Sequence, residues 1–173
     1  MSWHGLHIPA RSLRSVVILA PLFAILLMVF IFLKKRTISN NSENIYLLLK
    51  SNGLNDVLSK FATAQAAHET AILGIPFMSS VFKNNNNAFG MKYAGQVNAQ
   101  GEKNGYAYYI NLNNSVKDFI AWYNRKRQLL FSFPLYINST ASYVRFLKNN
   151  NYFEAPESEY LSGVNYFYKQ IFA

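Results

Sequence analysis

The stretch Phe61-Ala-Thr-Ala-Gln-Ala-Ala-His-Glu-Thr70 decides how this chain folds. It lies within residues 56–73, where apolar and small residues recur at helical spacing and Asp56 is suited to cap the first turn. Gly74-Ile75-Pro76 follows, and glycine and proline interrupt helices. The sequence therefore predicts a helix over residues 56–73 with mostly small side chains in its second half.

Glu69 is the informative carboxylate of this helix. One turn back on the same face lie Ala62, Gln65 and Ala66, whose small or neutral side chains leave room for a groove. A glutamate at the edge of such a groove is partly desolvated, which raises its pKa toward the range that a general acid needs near neutral pH. The alternative is an ordinary solvent-facing glutamate on an amphipathic helix.

His68-Glu69 also begins like the zinc motif HExxH, but that motif needs a second histidine at position 72, which is isoleucine. No histidine follows later in the chain, and the absence of cysteine excludes thiolate ligands. We therefore expect neither a metal site nor another cofactor.

The rest of the chain predicts a mainly α domain (α+β) over residues 43–173. Aromatic-rich segments at 89–94 and 106–110 flank a stretch with glycine and asparagine, which predicts a small β-hairpin or a long loop between two short strands. The asparagine run 84–87 is typical of a loop. Further helices are expected over residues 115–127, 140–148 and 158–171.

The N-terminal region carries a different signal. From Val16 to Leu33 no residue is charged or strongly polar, and this length of helix spans roughly 27 Å, close to the hydrocarbon thickness of a bilayer. Lys34-Lys35-Arg36 follows, which is unlike a signal-peptide cleavage site. We predict a basic tail over 1–14, a transmembrane helix over 15–34 and a linker over 35–42.

The formal net charge is +9, but five of the seventeen basic residues flank the apolar segment. Residues 37–173 therefore hold twelve basic and eight acidic residues, a surplus of +4. Such a surplus suits a polyanionic partner such as cell-wall polymer or anionic lipid. Within residues 37–173, Arg125-Lys126-Arg127 is the one dense basic cluster and is typical of a solvated helix face, so we expect no nucleic-acid binding.

Two blocks of the chain follow one another around Glu69. The first is Gln65-Ala-Ala-His-Glu-Thr70, and the second is Asn86-Asn-Ala-Phe-Gly-Met-Lys92. They resemble the AQAxLES helix and the NNLFGIK motif of the family-73 glycoside hydrolases, the bacterial and phage β-N-acetylglucosaminidases that cut peptidoglycan.

Two later blocks extend the resemblance over about residues 52–171, in the same order as in the family. The segment from Tyr109 to Asp118 is similar to the family's YxSxxxSxxDY segment, and Leu147-Lys-Asn-Asn-Asn-Tyr152 with Tyr160 is similar to its LxxxGYxTDPxY ending. Asn151 stands where the family has glycine.

The resemblance implies a lysozyme-like domain in which Glu69 is the catalytic acid. It also implies substrate-binding positions: Gln65, Asn87, Phe89, Tyr109, Tyr152 and Tyr160. Of these, Asn87 and Phe89 are expected to shape the floor of the cleft, and the three tyrosines are expected to contact the substrate. The second catalytic carboxylate of the family comes from the hairpin, where Glu102 is the one acid between Phe89 and Ser115. Alternatively, Glu102 is a solvated turn residue, and Glu69 acts alone with substrate assistance or as a lytic transglycosylase.

The function that follows is a membrane-anchored peptidoglycan hydrolase, which cleaves the β-1,4 bond between N-acetylglucosamine and N-acetylmuramic acid. The alternatives are lytic transglycosylation of the same polymer, or a non-catalytic structural or wall-binding protein of a virion. The expected location is a single-pass anchor with the domain outside the cytoplasm, or the membrane of a bacteriophage virion.

Overall fold

The computed structural model describes the backbone of residues 10–128 and 136–173, and the side chains of 21–32, 40–128 and 136–173. The chain divides into two compact units, Met1–Thr37 and Ile38–Ala173. The linker predicted over 35–42 lies within a helix, and the division between the units falls inside it. The tail predicted over 1–14 lies mostly outside the described residues.

The described residues are mainly helical, with one small antiparallel sheet, as predicted. The helices are α1 Ala10–Ser51, α2 Asp56–Glu69, α3 Ser80–Asn85, α4 Leu112–Gln128, α5 Thr140–Asn149 and α6 Glu157–Phe172; the strands are β1 Gly101–Lys103 and β2 Tyr106–Tyr108. In the hairpin Glu102 lies opposite Ala107. The segment 89–94, predicted as a strand, contributes only one bridge, between Lys92 and Tyr106.

Helix α2 is the centre of the second unit. Its residues from Phe61 to Ala67 are all buried, and α6 and α5 pack against it. Small side chains allow this close approach, and aromatic residues of the surrounding elements fill the remaining space. Two residues of α1, Ile45 and Leu49, are fully buried in the same core. The predicted helix face is thus a core face, with Glu69 at its C-terminal end.

The prediction that α2 continues to Leu73 is wrong, because Thr70 diverts the chain. The Thr70 hydroxyl donates to the Ala66 carbonyl (2.6 Å), and the Thr70 carbonyl accepts the amides of Met78 and Ser79 (both 3.0 Å). These bonds replace the next helical turn with the tight turn from Ile72 to Ile75.

The asparagine run 84–87 is more than a loop, because its side chains bind the backbone of other segments. Asn85 ends α3, and Asn86 caps it with a left-handed backbone (φ +50°), which asparagine tolerates better than most residues. The Asn85 side chain donates to the Lys103 carbonyl (3.0 Å) and the Asn86 side chain to the Tyr109 carbonyl (2.9 Å). The run therefore ties α3 to the hairpin and to the segment after it.

No helix among the residues whose side chains are described is long and apolar enough to cross a membrane. The transmembrane helix predicted over 15–34 lies partly outside those residues.

Candidate active site

Glu69 is the last residue of α2, and its side chain is mostly buried. Burial penalises the ionised form and raises the pKa of Glu69 from 4.5 to about 7. The C-terminal end of a helix carries partial negative charge, which also disfavours a carboxylate. Glu69 is therefore about half protonated at neutral pH.

Tyr160 of α6 donates its hydroxyl hydrogen to Oε1 of Glu69. This bond favours the ionised carboxylate and lowers the pKa of Glu69, but by less than burial raises it. The ring of Tyr160 stacks on Phe153 with the ring centroids 3.7 Å apart and the planes parallel. Burial holds the pKa of Tyr160 well above its usual value, so its hydroxyl remains a donor at neutral pH.

Gly90 borders the other carboxylate oxygen. A Cβ atom at this glycine would lie 3.1 Å from Oε2 of Glu69, and the backbone has φ +61°, where other residues are strained. Glycine at this position lets the main chain approach the carboxylate.

Asn87 fixes the loop that carries Gly90. Its side-chain nitrogen donates to the carbonyls of Met91 (2.9 Å) and Ala107 (3.0 Å), and its oxygen accepts the amides of Phe89 (3.3 Å) and Met91 (3.1 Å). All of its usual hydrogen-bonding capacity is used within the protein. Asn87 therefore holds the loop around Gly90 in place and offers no free polar group to a substrate.

Two other predicted substrate contacts are also buried. Phe89 stacks on Phe119 with centroids 3.9 Å apart, and Tyr109 has no exposed surface. Burial, with a smaller contribution from the neighbouring Asp118, raises the pKa of Tyr109 far above its usual value. Phe89, which was expected to shape the floor of the cleft, and Tyr109, which was expected to contact the substrate, are thus both enclosed by protein.

Gln65 lies one turn before Glu69 and has no exposed surface. Its oxygen accepts the hydroxyl hydrogen of Tyr143, while its nitrogen has no hydrogen-bond partner among the described residues. Tyr152, which is half-buried, donates its hydroxyl to the Phe89 carbonyl (2.6 Å). Burial, and to a smaller extent the charge of Glu69, raises the pKa of Tyr143, Tyr152 and Tyr160 well above the usual value.

Glu102 lies apart from this cluster in its described contacts. It is exposed on β1, and its carboxylate accepts the amide of Gly105 (3.2 Å) across the hairpin turn. No described hydrogen bond connects it to Glu69.

Asp118 is a supporting residue that carried no role in the sequence analysis. It is almost fully buried, and its carboxylate accepts the backbone amide (3.2 Å) and the side-chain nitrogen (2.6 Å) of Asn98. These bonds hold the segment before the hairpin against α4. Two features of the sequence could have identified Asp118. It is an acidic residue inside an amphipathic helix, and the family motif that this segment resembles also has aspartate at this position.

A desolvated carboxyl group with a raised pKa is the type of group that general acid catalysis requires. One carboxylic acid has a pKa near neutrality, and tyrosines and the glycine-bearing loop surround it. Among the residues whose side chains are described, 21–32, 40–128 and 136–173, no three histidine, aspartate or glutamate side chains are grouped so that they could hold a metal ion.

The family model Glucosaminidase, described as mannosyl-glycoprotein endo-beta-N-acetylglucosaminidase, matches residues 47–172. The chain belongs to this family and is a glycoside hydrolase of the endo-β-N-acetylglucosaminidase type, whose substrate is the glycan strand of peptidoglycan. Comparisons with curated proteins and with solved structures found no match.

Proposed function

We propose that Glu69 is the general acid with which this hydrolase cleaves the β-1,4 bond between N-acetylglucosamine and N-acetylmuramic acid. The observation that carries the proposal is the desolvated carboxyl group at the end of α2, with a pKa of about 7. In its protonated form it delivers a proton to the leaving glycosidic oxygen, and water then attacks the anomeric carbon. Glu102 is the candidate to activate that water or to act as nucleophile.

The test compares Glu69→Gln with the parent on purified peptidoglycan. Glutamine keeps the size and accepts the Tyr160 hydroxyl, but it has no transferable proton. We expect turnover to fall by about 10²–10⁴-fold while binding to insoluble wall material is unchanged. Glu154→Gln is the matched control, because Glu154 is exposed and its side chain makes no described hydrogen bond or ion pair. Full activity in Glu69→Gln would contradict the mechanism.

One observation favours a second candidate reaction, lytic transglycosylation. The described contacts of Glu69 are with a tyrosine hydroxyl and a glycine, and they include no second carboxylate. A single acid suffices when the 6-hydroxyl of the sugar, rather than water, attacks the anomeric carbon. Mass spectrometry of the products separates the two: hydrolysis gives a reducing end, and transglycosylation gives a 1,6-anhydro sugar, lighter by one water.

We also propose that the chain is anchored in a membrane through its N-terminal segment. Every side chain from residue 21 to 32 is exposed, and from Leu22 to Phe32 all but Ala24 are large and apolar. A continuous exposed apolar surface on a helix favours lipid around it. The unit Ile38–Ala173 then meets its polymer on the wall side of a bacterial membrane or at the membrane of a virion.

Fractionation of the full chain tests the anchor. We expect it in the membrane pellet after alkaline carbonate washing and in the supernatant after detergent extraction. Release by carbonate alone would contradict an integral anchor. For orientation, protease digestion of residues 43–173 only from the cytoplasmic side would place the domain on the wrong side of the membrane.

A further inference from the structure

His68 fills a notch in α6 next to the proton donor. A Cβ atom at Gly163 would lie 2.3 Å from Cε1 and 2.4 Å from Nδ1 of the His68 ring, so the ring occupies the space of a side chain. Glycine inside a helix is destabilising relative to alanine. At residue 163 the missing Cβ leaves the space that the His68 imidazole occupies, and the packing of this ring offsets the destabilisation.

The His68 ring also contacts the tyrosine that binds Glu69. Its centroid is 4.7 Å from that of Tyr160, and the two planes are nearly perpendicular. Phe153 stacks on the same tyrosine ring. Tyr160 is thus held by His68 and Phe153, with its hydroxyl on Oε1 of Glu69.

We propose that His68 is a positioning residue: seated against Gly163, it holds the Tyr160 hydroxyl on Glu69 and so sets the pH range in which Glu69 can donate its proton. This inference rests on the proposed function of Glu69. The helix motif that this segment resembles has leucine at the position of His68, so the device is a property of this chain's own sequence.

Glu69 is the group that changes charge near neutral pH, because the pKa values of the titratable groups around Glu69 and Tyr160 are shifted away from neutrality. Burial lowers the pKa of His68, and the charge of Glu159 on α6 raises it by less. Desolvation raises the pKa of the fully buried Tyr143 on α5 and of the half-buried Tyr152 well above the usual value. The effect of His68 on Glu69 therefore passes through the position of Tyr160.

The direction of the effect follows from the hydrogen bond. A hydroxyl donor stabilises the ionised carboxylate and lowers its pKa, as it does for Glu69 here. A displaced Tyr160 removes this stabilisation, so Glu69 keeps its proton to higher pH. The alkaline limb of activity should move upward, by about half to one pH unit for a bond of ordinary strength.

The experiment uses three variants of the full chain, each of which removes or displaces the Tyr160 hydroxyl in a different way. Tyr160→Phe removes the donor, His68→Ala removes the ring from α2, and Gly163→Ala pushes the ring out from α6. Ser162→Ala is the matched control for Gly163→Ala, because residue 162 is the exposed neighbour in the same helix. His68→Phe tests rescue, because phenylalanine restores an aromatic ring without a titratable nitrogen.

The readouts are the pH profile of kcat/KM on purified wall and the carboxyl ¹³C titration of Glu69 by NMR. We expect both to shift upward in the first three variants, and to stay near the parent in Ser162→Ala and His68→Phe. If His68→Ala or Gly163→Ala fails to fold, His68→Asn replaces it in the comparison. Asparagine also removes the ring but loses less side-chain volume than alanine.

A shift in Tyr160→Phe without one in the His68 and Gly163 variants would overturn the positioning role. An inactive parent would instead contradict the proposed function. The NMR titration still reports on His68 in that case, so the two failures are distinguishable.

Discussion

Tyr160 and Glu69 are joined by a hydrogen bond across 91 residues of chain, from the first turn of α6 to the last residue of α2. The bond and the burial of Glu69 act in opposite directions on the same proton. Burial is the larger effect, and the pKa of about 7 is the result. The acid is thus strong enough to give up its proton and still holds it in much of the population at neutral pH.

Activity should decline as the pH rises through about 7. The general acid works in its protonated form, so the alkaline limb of kcat/KM should report the pKa of Glu69 in the free enzyme. Initial rates on purified peptidoglycan from pH 5 to 9 check this. Full activity at pH 9 would mean that Glu69 is not the proton donor.

Glu69→Gln should stabilise the protein at high pH. The raised pKa means that the folded state keeps a proton which the unfolded chain loses above about 4.5, so its stabilising effect is lost as the pH rises through 7. Glutamine has no such cost, and at pH 8 the variant should gain up to about 3 kcal/mol over the parent.

Urea unfolding at pH 4 and pH 8 measures that difference. The gain should be small at pH 4 and large at pH 8, whereas Glu154→Gln should match the parent at both. An equal gain at both pH values would show that the effect is packing and not ionisation.

Gly90→Ala should impair activity more than stability. The left-handed backbone costs alanine about 1–2 kcal/mol, and the new Cβ lies 3.1 Å from Oε2 of Glu69. Gly95→Ala is the matched control, since its φ is +71° and no atom lies within 4 Å of the added Cβ. Both variants should lose similar stability in urea, and only Gly90→Ala should lose most of its wall-degrading activity. Equal activity in the two would remove Gly90 from the site.

Glu102→Gln should lower turnover by a factor comparable to Glu69→Gln, with folding unchanged. Glutamine still accepts the Gly105 amide across the hairpin turn, so the hairpin keeps its geometry while the carboxylate is lost. Turnover on peptidoglycan and the thermal unfolding curve are the two measurements. Activity within about threefold of the parent would exclude Glu102 and leave a route with one carboxylate.

Leu73→Asn should stabilise the protein by about 1 kcal/mol. Leu73 is 95% exposed at the tip of the turn after α2, with a left-handed backbone (φ +51°) that asparagine adopts at lower cost. Val97→Asn is the control, because Val97 is 94% exposed but has no positive φ. A rise in the unfolding midpoint shared by both variants would point to lost surface apolarity instead of relieved strain.

The elements that sequence predicted correctly are those with a long periodic pattern. Helix α2 and the position of Glu69 on its small-residue face are local properties, and α4, α5 and α6 were found within a few residues for the same reason. Helix α3 has only six residues, too few for a period, and its signals are the caps Ser79 and Asn86.

What sequence could not supply are relationships between distant segments. The resemblance placed Tyr152 and Tyr160 at the site without saying what they contact. One binds the Phe89 carbonyl, and the other binds Glu69 itself. The missing Cβ atoms of Gly90 and Gly163 acquire meaning only from the side chains that approach them. Asn151 keeps a positive φ (+55°) where the family motif has glycine, so the backbone is retained although the residue differs.

Because Glu69 and Tyr160 are far apart along the chain, they are also synthesised at different times. A ribosome releases α2 long before α6, and a nascent chain that ends before α6 lacks both the hydroxyl on Glu69 and the helix that packs over α2. In that chain Glu69 should be hydrated, and its pKa should be close to the usual value for glutamate. The raised pKa of Glu69 therefore depends on α6, and a chain cut off before residue 157 should not cleave the polymer.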